Sequence, residues 1–508
     1  MNEFDMPARP AETRPLHRSC AMRAPFIRKS LVKSRSLSAV ALACLLAACN
    51  TMAPKYERPA APVAAAFPYA AASAAASSAG SASAAAPSAA AASAAAPSTG
   101  IAPATQPWQD YFKDARLDQL ISAALANNRD LRVSMLNIEV ARAQVGLSRA
   151  NEFPTVDLQG THTRETGLQT INTVGLAVAG YEVDLWGRVR SLTDAALAQL
   201  SANEEARKAA QISLIASVAN TYYAMAGDQA LLDVAAQTLA TRTDTLKLVQ
   251  LRFENGVASS VDLQLNKSLV ETARVAFVSA QRQRALDQNA LELLIGGPLP
   301  AQLPAGPAWG DMALPDVPAG LPSEVLLARP DVRQAEQQLI AANADIGAAR
   351  AAFFPTISLT GSYGTASTTL SGLFDHSAWS FIPQVTLPLF DAGRNRNNLR
   401  VTEAQRDIAT AQYERAVQTA FRDVADALAG RATLVDQLAA QQAETDAEAE
   451  RFRLSNLLFT TGVSSSLDLL DAQRSLFSSQ QALVQVKLAL LQNRIAVYRA
   501  LGGGWTQS

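Results

Sequence analysis

The chain has 508 residues, 49% of them apolar and 18% charged, with a formal net charge of −1. Residues 1–48 hold eight Lys/Arg and three Asp/Glu, so the remainder carries 36 basic and 42 acidic residues, a net charge of −6. No basic excess is left to neutralise phosphates, which excludes nucleic acid as the expected partner.

Residues 1–48 read as an export signal. Arg28, Lys29, Lys33 and Arg35 precede an apolar run, Leu37 to Leu46, that is too short to span a bilayer. Met22 offers an alternative start. The segment ends Leu46-Ala47-Ala48-Cys49, which resembles a bacterial lipobox. That resemblance implies removal of the preceding peptide and a covalent lipid such as palmitate on Cys49, and no other cofactor is expected. The alternative is an ordinary signal peptide with an incidental cysteine. Of Cys20, Cys44 and Cys49, only Cys49 would survive cleavage, so no disulfide can form within the mature chain.

Residues 49–107 form a tether. Within it, 70–98 contain only Ala, Ser, Gly and Pro, a composition that cannot bury enough apolar surface to offset ordering entropy. Periodicity resumes near Trp108, where Leu117, Leu120, Ile121 and Leu125 fall at helical spacing.

From there the chain is duplicated. Asn128 to Arg132 matches Arg329 to Arg333, and Arg149 to Val156 matches Arg350 to Ile357. Trp186-Gly187-Arg188 matches Ala392-Gly393-Arg394, and Gly296 matches Gly502. The clearest pair is Gly256-Val257-Ala258-Ser259-Ser260-Val261-Asp262-Leu263 with Gly462-Val463-Ser464-Ser465-Ser466-Leu467-Asp468-Leu469. Such repeats are supersecondary units that need neighbours to bury a core. The boundaries read 108–296 and 322–502, with a Pro/Gly-rich connector at 297–321 and a tail at 503–508.

Each copy begins with a helix and then changes to a period of two. Val156 and Leu158 alternate with polar residues, as do Ile357, Leu359 and Tyr363. The returning segments are 174–185 and 379–390, the latter with Phe381, Val385, Leu387 and Leu389 on one face. Strands of about ten residues with one apolar face suit a transmembrane β-barrel, and soluble hairpins are the alternative. Trp186, Trp379 and Phe381 are candidates for an interfacial aromatic girdle.

Next come two long stretches without proline, Arg188 to Glu254 and Arg394 to Thr460. At 1.5 Å per residue, each would be roughly 100 Å long as one helix. Ala209, Ile212, Ala216, Ala219, Tyr223, Ala226 and Ala230 give a heptad seam of mostly small residues. Gly256 and Gly462 suit left-handed C-terminal caps. Serines then cap return helices that run to Leu294 and Leu501, with Asp262 and Asp468 in their first turns.

This arrangement resembles the TolC family of outer-membrane efflux channels, in particular OprM-like and NodT-like lipoproteins serving resistance-nodulation-division pumps. The resemblance covers about residues 49–507. It rests on Tyr181-Glu182-Val183-Asp184-Leu185-Trp186-Gly187-Arg188, Arg329-Pro330-Asp331, Ile346-Gly347-Ala348-Ala349-Arg350, Leu469-Leu470-Asp471-Ala472-Gln473-Arg474 and Ala500-Leu501-Gly502-Gly503-Gly504-Trp505. In that family Asn50 after the lipobox cysteine fits passage to the outer membrane. The implied fold is mainly α with a membrane β-barrel: a homotrimer whose 12-stranded barrel continues into a long periplasmic α-helical barrel, each chain carrying an internal repeat. Four strands alone cannot close a barrel without an unpaired edge in lipid, whereas three copies supply twelve.

The implied function is a passive exit duct for small molecules. A periplasmic membrane-fusion adaptor and an inner-membrane pump would supply energy and cargo. No catalytic or metal site is expected: His162 and His376 form no ligand cluster, and Gly502-Gly503-Gly504 lacks the Lys-Ser/Thr of a phosphate loop. The resemblance implies a periplasmic gate of Leu467, Asp468, Asp471 and Arg474, with Asp262 as a partner. It also implies an adaptor footprint at Gly256-Val257 and Gly462-Val463, for which a bare turn is the alternative. Asp468 is equally a dipole-favoured first-turn residue, and Arg474 a simple helix-face partner of Asp471. Phe459 and Ser464 stand where some relatives carry a Tyr and Arg latch, so that latch is not expected. Two other classes remain open: a similar channel for type I protein secretion, and a lipid-anchored coiled coil without a pore.

Overall fold

The computed structural model describes residues 51–64, 67, 107–316 and 323–503. The signal segment, Cys49, the whole Ala/Ser-rich stretch 70–98 and the last five residues lie outside them. After a single turn of helix (α1, Trp108–Tyr111), α2 (Ala115–Asn127) and α3 (Arg129–Ala150) lead to strands β1 (Asp157–Thr163) and β2 (Ile171–Val183). The 67-residue α4 (Arg188–Glu254) and the return helix α5 (Ser260–Ile295) complete the first copy. The second copy repeats this order with α6 (Pro330–Ala351), β3 (Thr356–Ser367), β4 (Ser377–Thr386), the 67-residue α7 (Arg394–Thr460) and α8 (Ser466–Ala500). Among the described residues, no helix is long and apolar enough to cross a membrane.

Each long helix starts from a built turn. Glu182 takes two hydrogen bonds from Arg188, at 2.8 and 2.6 Å, while Asp184 accepts from the Arg190 N–H at 2.9 Å. In the second copy Asp391 accepts from the N–H groups of Gly393 and Asn395. These side chains satisfy helix-start N–H groups that have no partner within the helix. Trp186 donates from Nε1 to the Pro355 carbonyl at 2.8 Å and packs on Phe354, fastening the two copies just below the sheet.

The half-length helices stack end to end along the long ones. Asn128 caps α3 by accepting from the Leu131 N–H and donates its amide to the Leu294 carbonyl, at the last turn of α5. Arg329 does the corresponding task in the second copy, donating at 2.8 Å to the Ala500 carbonyl at the end of α8. At this equator the main core forms. Tyr111 stacks on Tyr498 at 4.2 Å and donates to the Arg494 carbonyl, surrounded by Leu117, Leu120, Ile121, Ile215, Leu291 and Tyr413. Part of the heptad seam lies in it, with Ala216, Ala219 and Tyr223 among its buried residues, and Ile212 is buried as well.

Asp228 of α4, beside this core, hydrogen-bonds Asp287 of α5, and burial together with that neighbouring carboxyl pushes its pKa up to about 7. The folded chain therefore binds this proton more tightly than the unfolded one. Stability from this group falls as pH rises from the ordinary 3.8 through about 7. Asp228→Asn is expected to raise stability at pH 8 by about 1–2 kcal/mol, after allowance for solvent screening, and to change little at pH 4. Thermal midpoints of the two proteins at the two pH values check this.

The four strands form one antiparallel meander in the order β1-β2-β3-β4. Leu158, Tyr363, Trp379, Phe381 and Val385 are all more than 60% exposed, so the sheet carries a bare apolar surface. β4 ends at Thr386, four residues short of the segment 379–390 expected from alternation. Its last residue pairs with Thr356, the first of β3, so the ladder stops where the partner strand begins after Pro355. β1 is the shortest strand, and β2 bulges between Val178 and Tyr181. Gly175 and Gly364 pair directly, and a Cβ on Gly175 would lie 2.6 Å from the Gly364 Cα. Gly175→Ala is therefore expected to destabilise the sheet by about 1–3 kcal/mol, read as a lower thermal midpoint of the full-length protein.

Residues 51–64 lie against the helices. Arg58 pairs with the buried Glu336 carboxylate at 2.6 and 3.0 Å, Tyr56 donates to it at 3.1 Å, and Asn343 donates to the Pro54 carbonyl. Gly347 explains part of the 346–350 motif, because a Cβ there would stand 2.7 Å from the Ala53 nitrogen.

Candidate functional site

Both long helices end in the same turn. In the first, the Val257 N–H donates to the Arg252 carbonyl and the Gly256 N–H to that of Phe253. In the second, Val463 donates to Leu458 and Gly462 to Phe459. This double bond pattern closes a helix around a left-handed residue, and Gly256 and Gly462 sit at φ +74° and +79°. Ser259 and Ser465 then cap the return helices by accepting from the N–H groups of Asp262 and Asp468. The turns leave Val257, Val261, Val463 and Leu467 exposed by 66–77%.

The proposed gate residues divide into two groups. Asp471 of α8 is clamped between Arg474 on its own helix, at 2.6 Å, and Arg451 of α7, at 2.5 Å. These two guanidinium groups, Arg474 foremost, hold its carboxyl below the usual carboxylate range. Asp262 instead accepts from Ser259 and from the Ser466 hydroxyl at 2.8 Å, which ties the tip of the first copy to that of the second. These hydrogen bonds, Ser259's first, depress the Asp262 pKa. Asp468 bonds Ser465 and is not paired with Asp262 within the chain. Leu467 points to solvent.

Two participants were missed from sequence. Arg451 lies as far before the turn as Asp471 lies after it, about the midpoint 461, and pairing by distance from the turn would have found it. Arg252 crosses between the copies: its guanidinium stands 4.3 Å over the Phe459 ring and donates to the Phe459 carbonyl at 3.0 Å. Phe459, Val249 and Leu469 form a small buried cluster above the tip. Phe459 thus serves as a packed anchor where a hydroxyl-bearing latch was not expected.

The model of the outer membrane efflux protein family matches residues 120–297 and again 321–503. The chain belongs to this family. The solvent efflux pump outer membrane protein SrpC of Pseudomonas putida is 43% identical over 490 residues, covering 94% of this chain and all of that one. The outer membrane protein OprJ of Pseudomonas aeruginosa is 42% identical, covering 93% and 96%. Among solved structures, the open-state MtrE outer membrane channel of Neisseria gonorrhoeae has a TM-score of 0.78 at 38% identity, covering 90% of this chain and 99% of that one. As an outer membrane efflux protein the chain is the exit duct of a tripartite pump, not an enzyme, and its place is the outer membrane. Its fold is that of the TolC-type channels, a helical barrel continued by β-barrel parts.

Proposed function

We propose that the protein works as a homotrimer whose twelve strands close one barrel, and that its helical tips form a gate opened by a periplasmic adaptor. The observation that carries this reading is the open sheet. Among the described residues, β1 and β4 are left without neighbours on their outer edges, beneath an exposed apolar face. Unpaired backbone edges in lipid are costly, and closure with two further copies removes them all.

Asp471 with its two arginines is the charged part of the gate, and threefold symmetry would repeat it as a ring. Asp262, Asp468 and Leu467 complete the aperture, and Gly256-Val257 with Gly462-Val463 form the knobs that dock the adaptor. The inner-membrane partner is a pump of the resistance-nodulation-division class. Cargo is small and largely apolar, as the names of relatives for solvent and toluene efflux suggest. A covalent lipid on Cys49 adds an anchor in the outer membrane.

Native mass spectrometry of the detergent-extracted protein, with bilayer conductance, tests the duct: trimers that conduct are expected, and non-conducting monomers or dimers would sink it. In the same spectra, Cys49→Ser should lose the lipid mass. Deleting the gene should sensitise cells to apolar compounds. A secretion defect without sensitisation would point to type I protein export.

A further inference from the structure

In the lower half of the helical region, between α4, α7 and α8, lies a crevice of about 50 Å³ lined by Gln237, Thr241, Arg242, Phe452, Gln473 and Phe477, among others. That volume is enough for a water-sized occupant. Arg242 is 4% exposed, yet among the described residues no carboxylate pairs with it. One Nη donates to the Leu269 carbonyl at 3.0 Å, and the guanidinium lies 5.5 Å from the centroid of the Phe477 ring. Its Nε is buried without a partner. Gln473 donates from Nε2 to the Thr245 hydroxyl at 3.0 Å and leaves its Oε1 unpartnered. A half-turn of that amide would present an N–H instead. No lining residue is acidic.

A desolvated cation with no counter-charge is costly, and proteins normally pair it. The two copies differ in charge at this point. Arg242 corresponds to Glu448 in the second copy, where Arg451 pairs with that glutamate at 3.3 Å. The first copy has Thr245 at the matching position and supplies no opposite charge.

We propose that this crevice binds a small monovalent anion, chloride being the probe of choice, held by the Arg242 Nε with hydroxyl and amide donors from its lining. A neutral water would satisfy the Nε without offsetting the buried charge, which favours the anion. The bound ion would stiffen the packing of α4 against α8 one step above the tip.

Crystals of the full-length protein soaked in bromide should show an anomalous peak within about 3.5 Å of Arg242. In solution, replacing gluconate by chloride at constant ionic strength should raise the thermal midpoint saturably, as a ligand of the folded state does. Arg242→Met is expected to abolish that response and to be at least as stable as the parent in gluconate. A crevice without bromide, holding water only, overturns the proposal, as does a chloride response that survives in Arg242→Met. The bromide experiment needs only the unaltered chain, so poor folding of the variant leaves the test intact.

Discussion

Replacing Asp471 with alanine is expected to raise the single-channel conductance of the reconstituted protein several-fold, because in the proposed gate its charge-assisted pairs with two arginines help hold the tip closed. Among the described residues Asp471 is the only acid that bridges Arg451 and Arg474, so its loss removes the charged tie between α7 and α8 near the tip and leaves Arg474 without its acid, while Arg451 keeps Glu448. Asp471→Asn should fall between, keeping hydrogen bonds without the charge. Leu265 occupies the equivalent place in the first copy, and Leu265→Ala should leave conductance unchanged. Equal conductance for Asp471→Ala and the parent would remove Asp471 from the gate. The depressed pKa of this carboxyl carries a pH consequence. Its contribution is present above the ordinary carboxylate value and is lost only as pH falls through the lower folded value. The seal should therefore hold unchanged between about pH 5 and 8.

The largest loss of stability is expected for Arg329→Ala, about 2–4 kcal/mol, since the residue is a buried cation with several partners. Its side chain is 9% exposed and makes a two-pronged pair with Asp331 at 3.0 and 2.6 Å. It also donates to the Ala500 carbonyl and approaches Asp423 at 3.7 Å, so one side chain joins the first helix of the second copy to its last. Asp331 is about half exposed and Asp423 stays near the guanidinium, so Asp331→Ala should cost less, about 1–2 kcal/mol. Arg329→Lys should recover little, because an ammonium cannot reproduce the planar fork. Chemical denaturation of the three variants ranks them. Equal costs for Arg329→Ala and Asp331→Ala would mean that the carbonyl contacts contribute nothing.

The duplicated helices were legible because their signals are local. Proline-free runs, glycine at the left-handed caps and serine before an acid each declare themselves within a few residues. Strand ends were less so, since β4 stops where its partner β3 begins, at the Thr356–Thr386 pair, rather than where alternation fades. The tip residues Asp471 and Arg474 were legible through resemblance and helix spacing. Arg451 and Arg252 were not, because their partners lie on other helices and depend on how the copies pack. Docking of residues 51–64 had no periodic signature at all: it rests on one buried acid, Glu336, and on glycines that allow close approach.

That docking decides where a pull on the N-terminal side of the duct is resisted. Thr51 to Ala64 already runs along the helices beneath the sheet, and Phe67 and Trp108 both enter the same equatorial core. Force applied at Thr51 is therefore met first by Tyr56, Arg58 and Asn343, through their contacts with Glu336 and the Pro54 carbonyl.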